Sequence, residues 1–279
     1  MLNLLLAIAS SALVSISMRI SEPRIKNNLA MLAVNYLVCL GLAWGYTGFV
    51  TPFPGAQGLT FTLTVGSING FLYLAGFALF QVNIRKNGVV LSSIFMKLGL
   101  LVSMLISMAV FGERPEIWQW LGFLLAVAAI ILINYQPGEK KANSKWGLVL
   151  ILLSGGLADA MSKVFEELGN PALSDHFLLY TFAMALLFCI GMNVVRKQGL
   201  PGKREWLYGA MVGIPNFYSA RFLLGALEDL SAVIVYPACN VATILTVTLA
   251  GVLFFKERLE KRQWIAVGII LLALVLLNI

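Results

Sequence analysis

Charged side chains make up only 12% of this sequence, against 59% hydrophobic ones. A soluble domain carries about a quarter charged residues, because a surface facing water has to be solvated. That shortage excludes an ordinary soluble fold. No polar stretch is long enough for a separate soluble domain. Histidine occurs once, at His176, which excludes a histidine-based metal site. The cysteines are three, Cys39, Cys189 and Cys239, all inside apolar runs and without C-x-x-C spacing, so they read as small buried hydrophobes. Neither a Walker A sequence nor H-E-x-x-H is present, and no enzyme is expected. Bound cofactors are not implied either. The start of the chain lacks a basic n-region and a small-residue cleavage site, so it reads as a first spanning helix, not a removed leader. Acidic residues number 13 against 20 Lys and Arg. This excess sits in short clusters between apolar runs and forms no basic face, so nucleic acid is not an expected partner.

What is present is a run of apolar segments, each near the roughly 20 residues that one membrane crossing needs. They are Leu2–Ile20, Leu29–Val50, Leu59–Val82, Val89–Phe111, Ile117–Asn134, Gly147–Phe165, Phe177–Val195, Trp206–Leu227, Ser231–Phe255 and Gln263–Ile279. Turn residues punctuate them: Pro52, Pro54 and Gly55; Pro137 and Gly138; Gly199, Pro201 and Gly202. The longest polar stretch, Tyr135–Trp146, lies almost at the centre. The expectation is an all-α membrane protein of ten transmembrane helices, with a first five-helix repeat over 1–134, a linker over 135–146 and a second repeat over 147–279.

The repeat is legible in polar residues. At an offset of 144, Phe111, Glu113, Arg114, Glu116, Gln119, Trp120 and Asn134 match Phe255, Glu257, Arg258, Glu260, Gln263, Trp264 and Asn278. Further back the offset becomes 147, pairing Gly66 and Asn69 with Gly213 and Asn216. Aliphatic identities carry little weight in such a chain, but a shared E-R-x-E-x-x-Q-W spacing does.

Five helices per unit is an odd number, so the second unit enters the membrane inverted. The charges agree. Sixteen of the 20 Lys and Arg fall in loops after odd-numbered segments: Arg19, Arg24, Lys26; Arg85, Lys86; Lys140, Lys141, Lys145; Arg196, Lys197, Lys203, Arg204; and Lys256, Arg258, Lys261, Arg262. The even loops carry Glu113, Glu116, Glu166, Glu167, Asp175, Glu228 and Asp229. The positive-inside rule then puts odd loops in the cytoplasm and both termini outside. An inverted repeat suits alternating access, in which two similar units of opposite orientation open in turn toward each side.

An apolar helix ending in Phe-Gly-Glu-Arg or Phe-Lys-Glu-Arg, then Gln-Trp, then another apolar helix, occurs twice. With Val235-Tyr236-Pro237-Ala238-Cys239-Asn240, this resembles the drug/metabolite transporter superfamily in its ten-helix EamA-type branch. The resemblance covers essentially the whole chain. It implies a pseudosymmetric fold with a central cavity lined mainly by helices 1, 3, 4, 6, 8 and 9. It does not imply one substrate. Small multidrug-resistance relatives couple through a glutamate in their first helix; here no acidic residue precedes Glu22, so that mechanism does not carry over in place.

Candidate site residues are those that are costly in hydrocarbon, roughly 2.5–3.5 kcal/mol per central charge. Lys97 lies well inside the fourth segment; it is a substrate or coupling residue, or half of a structural ion pair. Asp159 is the acidic residue nearest the middle of a span. It either pairs locally with Lys163 at i+4 or acts as a titratable carboxylate, alone or with Lys97. Arg221 either contacts substrate or pairs with Glu228 and Asp229 two turns along. Asn69 and Asn216, with nearby Tyr73 and Tyr218, serve as interhelical glue or as substrate hydrogen-bonding groups. Tyr236 and Asn240 flank Pro237, which, like Pro215, either frees carbonyls at a binding site or only kinks its helix. His176 reads as an interfacial surface residue.

The resulting expectation is a secondary transporter in a plasma membrane, bacterial from its minimal termini. Its partners are a small polar metabolite, anionic or carboxylate-bearing, a possible coupling proton, and membrane lipid. A proton-coupled exporter of cationic compounds, and a non-transporting scaffold or membrane-embedded enzyme, are the alternatives.

Overall fold

The computed structural model describes residues 1–49, 51–87, 92, 95–134, 145–255 and 261–277. Most of the central linker, the second copy of the Glu-Arg motif (Glu257, Arg258 and Glu260) and the expected start of the fourth segment at Val89 lie outside the described residues. The helices are α1 (Leu2–Ser21), α2 (Asn28–Tyr46), α3 (Leu59–Asn87), α4 (Leu100–Phe111), α5 (Ile117–Asn134), α6 (Lys145–Leu168), α7 (Ser174–Val195), α8 (Lys203–Asp229), α9 (Ala232–Phe255) and α10 (Lys261–Leu277). Short 3-10 turns at Glu22–Arg24 and Pro171–Leu173 precede α2 and α7. No strand occurs among the described residues. Six helices there are long and apolar enough to cross a membrane: Leu2–Ser21, Asn28–Tyr46, Leu59–Phe80, Lys145–Leu168, Pro171–Val195 and Ala232–Leu253.

The fourth segment, expected as one span, is interrupted. Phe95–Lys97 is helical, Leu98 and Gly99 form a turn, and α4 then resumes. The Leu101 amide donates to Leu98 O (3.0 Å) and the Val102 amide to Gly99 O (2.8 Å), the tighter i→i+3 pattern. Gly99 is needed there, since a Cβ would meet the Gly156 amide nitrogen of α6 at 2.9 Å. At the other end of α4, Gly112 closes the helix with φ 70°, a left-handed C-cap that glycine adopts without strain. Pro215 and Pro237, by contrast, lie inside α8 and α9 without ending either helix.

The chain divides into two compact units, and each takes helices from both halves of the sequence. Unit 1 comprises Met1–Leu74 and Met161–Glu228; unit 2 comprises Ala75–Ala160 and Asp229–Ile279. Lipid tails are as apolar as leucine, so helices in a membrane associate through close packing and interhelical hydrogen bonds.

Unit 1 uses small residues in this way. Its principal contact is α2 against α7. A Cβ on Gly213 of α8 would lie 2.8 Å from Asn35 O of α2, and one on Gly66 of α3 would lie 3.0 Å from Phe177 O of α7. The Cys39 thiol donates to Gly213 O (3.2 Å), the Cys189 thiol to Leu29 O (3.3 Å), and Ser11 shares a hydrogen bond with Ser219 (2.6 Å).

In unit 2, α5 packs on α10 and α4 on α9. Leu100, Met104, Phe123, Ile130, Val233, Val241, Ile270 and Leu277 form an apolar cluster there. Gly122 of α5 faces Ala273 O of α10 at 3.0 Å from its Cβ position.

Candidate functional site

The nine candidate residues divide between the units: Asn69, Tyr73, Asn216, Tyr218 and Arg221 in unit 1, and Lys97, Asp159, Tyr236 and Asn240 in unit 2.

In unit 1 the cation is engaged. Arg221 of α8 forms an ion pair with Asp175 in the first turn of α7. Its guanidinium also lies 4.0 Å from the centre of the Tyr46 ring at the end of α2, a cation–π geometry. Glu228 and Asp229, the partners expected from spacing along α8, give way to a carboxylate on α7 across the helix hairpin. Glu228 stays within range of the charge without forming the pair. The Tyr46 hydroxyl donates to the Tyr218 hydroxyl (3.4 Å), and Tyr218 stacks on Phe222 at 5.8 Å. Asn216 donates to Asn35 Oδ1 (3.2 Å) and reaches Cys39 Sγ (3.7 Å). Its arrangement is that of interhelical glue. Asn69 is buried, and its Oδ1 has no partner among the described residues. Tyr73 lies within electrostatic range of Tyr36. His176, expected at the surface, is buried instead, with its ring 6.3 Å from that of Tyr180.

In unit 2 the arrangement is different. Lys97 and Asp159 are close enough that each charge acts on the other. Both are half-buried, and Cys239 of α9 also lies within range of Asp159. The local pair expected between Asp159 and Lys163 does not form. Lys163, which falls in unit 1, binds Glu166 at 2.6 Å and Glu167 at 2.8 Å, one turn further toward the end of α6. Buried as it is, Lys163 gains more from two carboxylates than from one. Asp159 therefore keeps Lys97 as its nearby cation. Lys97 is the last residue of the Phe95–Lys97 helical piece, just before the Leu98–Gly99 turn, whose glycine lies against Gly156 of α6, three residues from Asp159.

Tyr236 of α9 is buried, and its hydroxyl donates to the main-chain carbonyl of Asp159 (2.6 Å). It thus fixes α9 against α6 at the level of the carboxylate and does not present a free hydroxyl. The Asn240 side-chain amide donates back to Tyr236 O (3.0 Å), filling an acceptor next to Pro237.

Two further carboxylates do positional work that their sequence context did not reveal. Glu113, in the first copy of the Glu-Arg motif, accepts from the amides of Ala232 (3.0 Å) and Val233 (3.1 Å). It caps the N-terminus of α9, where four amides lack helical partners and the dipole favours an anion. Glu205, just ahead of the Trp206–Leu227 span, accepts from the amides of Lys26 (3.2 Å), Asn27 (3.4 Å) and Gly202 (3.1 Å). Burial opposes its charge, but these amides outweigh that and hold its carboxyl below the usual glutamate range. Only a coincidence of folding brings such amides to a carboxylate, so no spacing announces it.

A family model described as the EamA-like transporter family matches residues 1–135 and again 145–279. An uncharacterized protein of Haemophilus influenzae is 25% identical over 282 residues, covering 95% of this chain and 93% of that protein. The uncharacterized inner membrane transporter YedA of Escherichia coli K12 is 26% identical over 180 residues, 61% of this chain and 55% of YedA. A solved crystal structure at 15% identity aligns with a TM-score of 0.73 over 99% of this chain and 98% of the other, which shows a shared fold.

Proposed function

The chain belongs to the EamA-like transporter family, and on that premise we propose that it is a secondary active transporter of a small polar metabolite bearing a carboxylate or other anionic group, working by alternating access across a bacterial plasma membrane. The observation that carries this reading is the Lys97–Asp159 neighbourhood in unit 2. Arg221 and Lys163 are held in ion pairs. Lys97 makes no ion pair among the described residues, and its ammonium is the cation left to meet an anionic solute.

Ten spans in two inverted repeats form the mechanical part of the proposal. Its support is the reciprocity of the packing. With five helices per repeat, α2 corresponds to α7, α4 to α9 and α5 to α10, and each of these packs on its counterpart. Gly66 on α3 meets α7 as Gly213 on α8 meets α2. Both termini outside and the odd loops inside complete the reading. In intact cells, Gln57→Cys and Ile279→Cys should label with an impermeant maleimide, and Lys141→Cys should not; the reverse pattern would overturn the orientation alone.

A proton-coupled exporter of cationic compounds is the second reading, and it too has an observation behind it: Lys163 does not neutralise Asp159, which leaves the carboxylate open to a proton or a cation. Purified protein in proteoliposomes separates the readings. A thermal-shift screen of metabolites first selects ligands, since binding to the folded state raises stability by mass action. Movement of an anionic hit driven by an imposed solute or ion gradient, and lost in Lys97→Met, supports the first reading. Gradient-driven movement of cations, abolished by Asp159→Asn but not Lys97→Met, supports the second. If no ligand or ion gradient drives movement of any solute, the chain is a non-transporting membrane protein.

A further inference from the structure

One end of unit 1 gathers cations from two loops far apart in sequence. The turn between α1 and α2 brings Arg24 and Lys26; the turn between α7 and α8 brings Lys197, Lys203 and Arg204, and all five are exposed. Side-chain and backbone contacts hold the two loops side by side without using the three lysine ammonium groups, while the Arg24 guanidinium donates to Ile20 O (3.4 Å) and lies 5.9 Å from the centre of the Tyr208 ring. The Asn27 amide donates to Gln198 O (3.0 Å), Gly199 O (3.3 Å) and Asn193 Oδ1 (3.3 Å). Glu205 takes the Lys26 and Asn27 backbone amides, as above, and Arg204 reaches Arg24 O (3.4 Å). None of the five cations is in an ion pair among the described residues. The carboxylate of Glu205 at this end is buried and occupied by amides.

Beside this basic surface the end of α7, the loop that follows and the first turns of α8 expose apolar side chains: Val195 at 81%, Leu200 at 93% and Leu207 at 64%. Cations over exposed apolar groups at the ends of membrane-length helices match an amphiphile whose head is anionic and whose tail is apolar. A soluble anion would need converging donors in a pocket, and these cations are spread across a surface instead. We propose that this end of unit 1 is a docking surface for anionic phospholipid, its phosphodiester headgroup on Arg24, Lys26, Lys197, Lys203 and Arg204 and its acyl chains beside Val195 and Leu207.

Full-length protein in detergent is titrated with phosphatidylglycerol, with phosphatidylcholine, and with inorganic phosphate, and both melting temperature and retained lipid by native mass spectrometry are read. Phosphatidylglycerol is expected to bind selectively and raise the melting temperature, an effect that weakens with salt. Each cation removed should lower the relative binding constant about five-fold. Lys26→Gln, Lys197→Gln and Lys203→Gln together should therefore abolish the preference, with the phosphatidylcholine melting temperature unchanged. Equal retention of the two lipids by the wild-type protein, or an undiminished preference in the triple variant, overturns the proposal. So does an equal melting shift from inorganic phosphate, which would assign the surface to a soluble anion. If the triple variant fails to fold, Lys197→Gln alone, at an exposed position in no ion pair among the described residues, gives the same decision from a five-fold change.

Discussion

Unit 1 and unit 2 each place a cation within their apolar helices and treat it differently. Arg221 in unit 1 is saturated: a carboxylate on α7 and an aromatic face on α2 hold it. Lys97 in unit 2 has the charge of Asp159 in range but no such clamp. Its counterpart at the offset of 144, Val241, is buried in the apolar cluster between α4, α5, α9 and α10. A charge that stabilises a fold is matched in place, whereas a charge kept for a ligand retains unspent capacity. The contrast also extends to the surrounding groups. Around Arg221 the partners are a carboxylate and an aromatic side chain; around Asp159, the Tyr236 hydroxyl bonds the main-chain carbonyl and not the carboxylate.

The sharpest way to break this comparison is to remove each cation in turn. Lys97→Met should lower transport of an anionic solute by about two orders of magnitude, as expected for losing a charge-assisted hydrogen bond of about 3 kcal/mol, while the melting temperature hardly moves. Arg221→Met should do the opposite, keeping transport per folded molecule and losing about 1–3 kcal/mol of stability because Asp175 is left without its partner. Wild-type transport by well-folded Lys97→Met would return Lys97 to a passive role. An inactive but stable Arg221→Met protein would move the site to unit 1.

A smaller effect sharpens the role of Asp159. If Lys97 only neutralises it, Lys97→Met should lose stability and adding Asp159→Asn should restore it. If Lys97 binds solute, the double variant stays as inactive as the single one. A double-mutant cycle on folding stability isolates that coupling.

Smaller again is the α9 cap. Glu113→Ala should cost about 1 kcal/mol, read as a melting temperature lower by a few degrees, and Glu113→Gln should recover part of it through one remaining acceptor. Unchanged melting in Glu113→Ala would remove the capping role.

The smallest effect concerns pH. The folded-state carboxyl of Glu205 titrates below its unfolded value, so its contribution is present above about pH 4.3 and is lost as pH falls through the lower folded value. Acid unfolding of Glu205→Gln should lack that part of the pH dependence, while stability at neutral pH drops because one amide acceptor has gone.

How much of this was legible varies residue by residue. The helices and the family motif follow from composition and from a polar repeat that survives in an apolar background. Lys97 and Asp159 stood out because charge is rare and costly within hydrocarbon. The partner of Arg221 was not legible, since Asp175 lies 46 positions earlier in the chain and only a helix hairpin brings it near. Lys163 misled for a related reason: Asp159 and Glu167 are both four residues away, in opposite directions, and helical spacing alone does not choose between them. Tyr236 stood out only for its place beside Pro237, and the partner of its hydroxyl, the Asp159 carbonyl, lies 77 positions earlier in the chain, where no spacing points to it.

Composition, periodicity and local motifs are enough to make this chain helical, apolar enough for a membrane and related to EamA-like transporters. Which charges are held in ion pairs follows from packing. That choice depends on which helices cross at glycines such as Gly66, Gly99 and Gly213, and on which carboxylate or carbonyl is thereby brought within about 3 Å of a donor. Spacing along the chain fixes the faces of a helix; only packing fixes what each face meets.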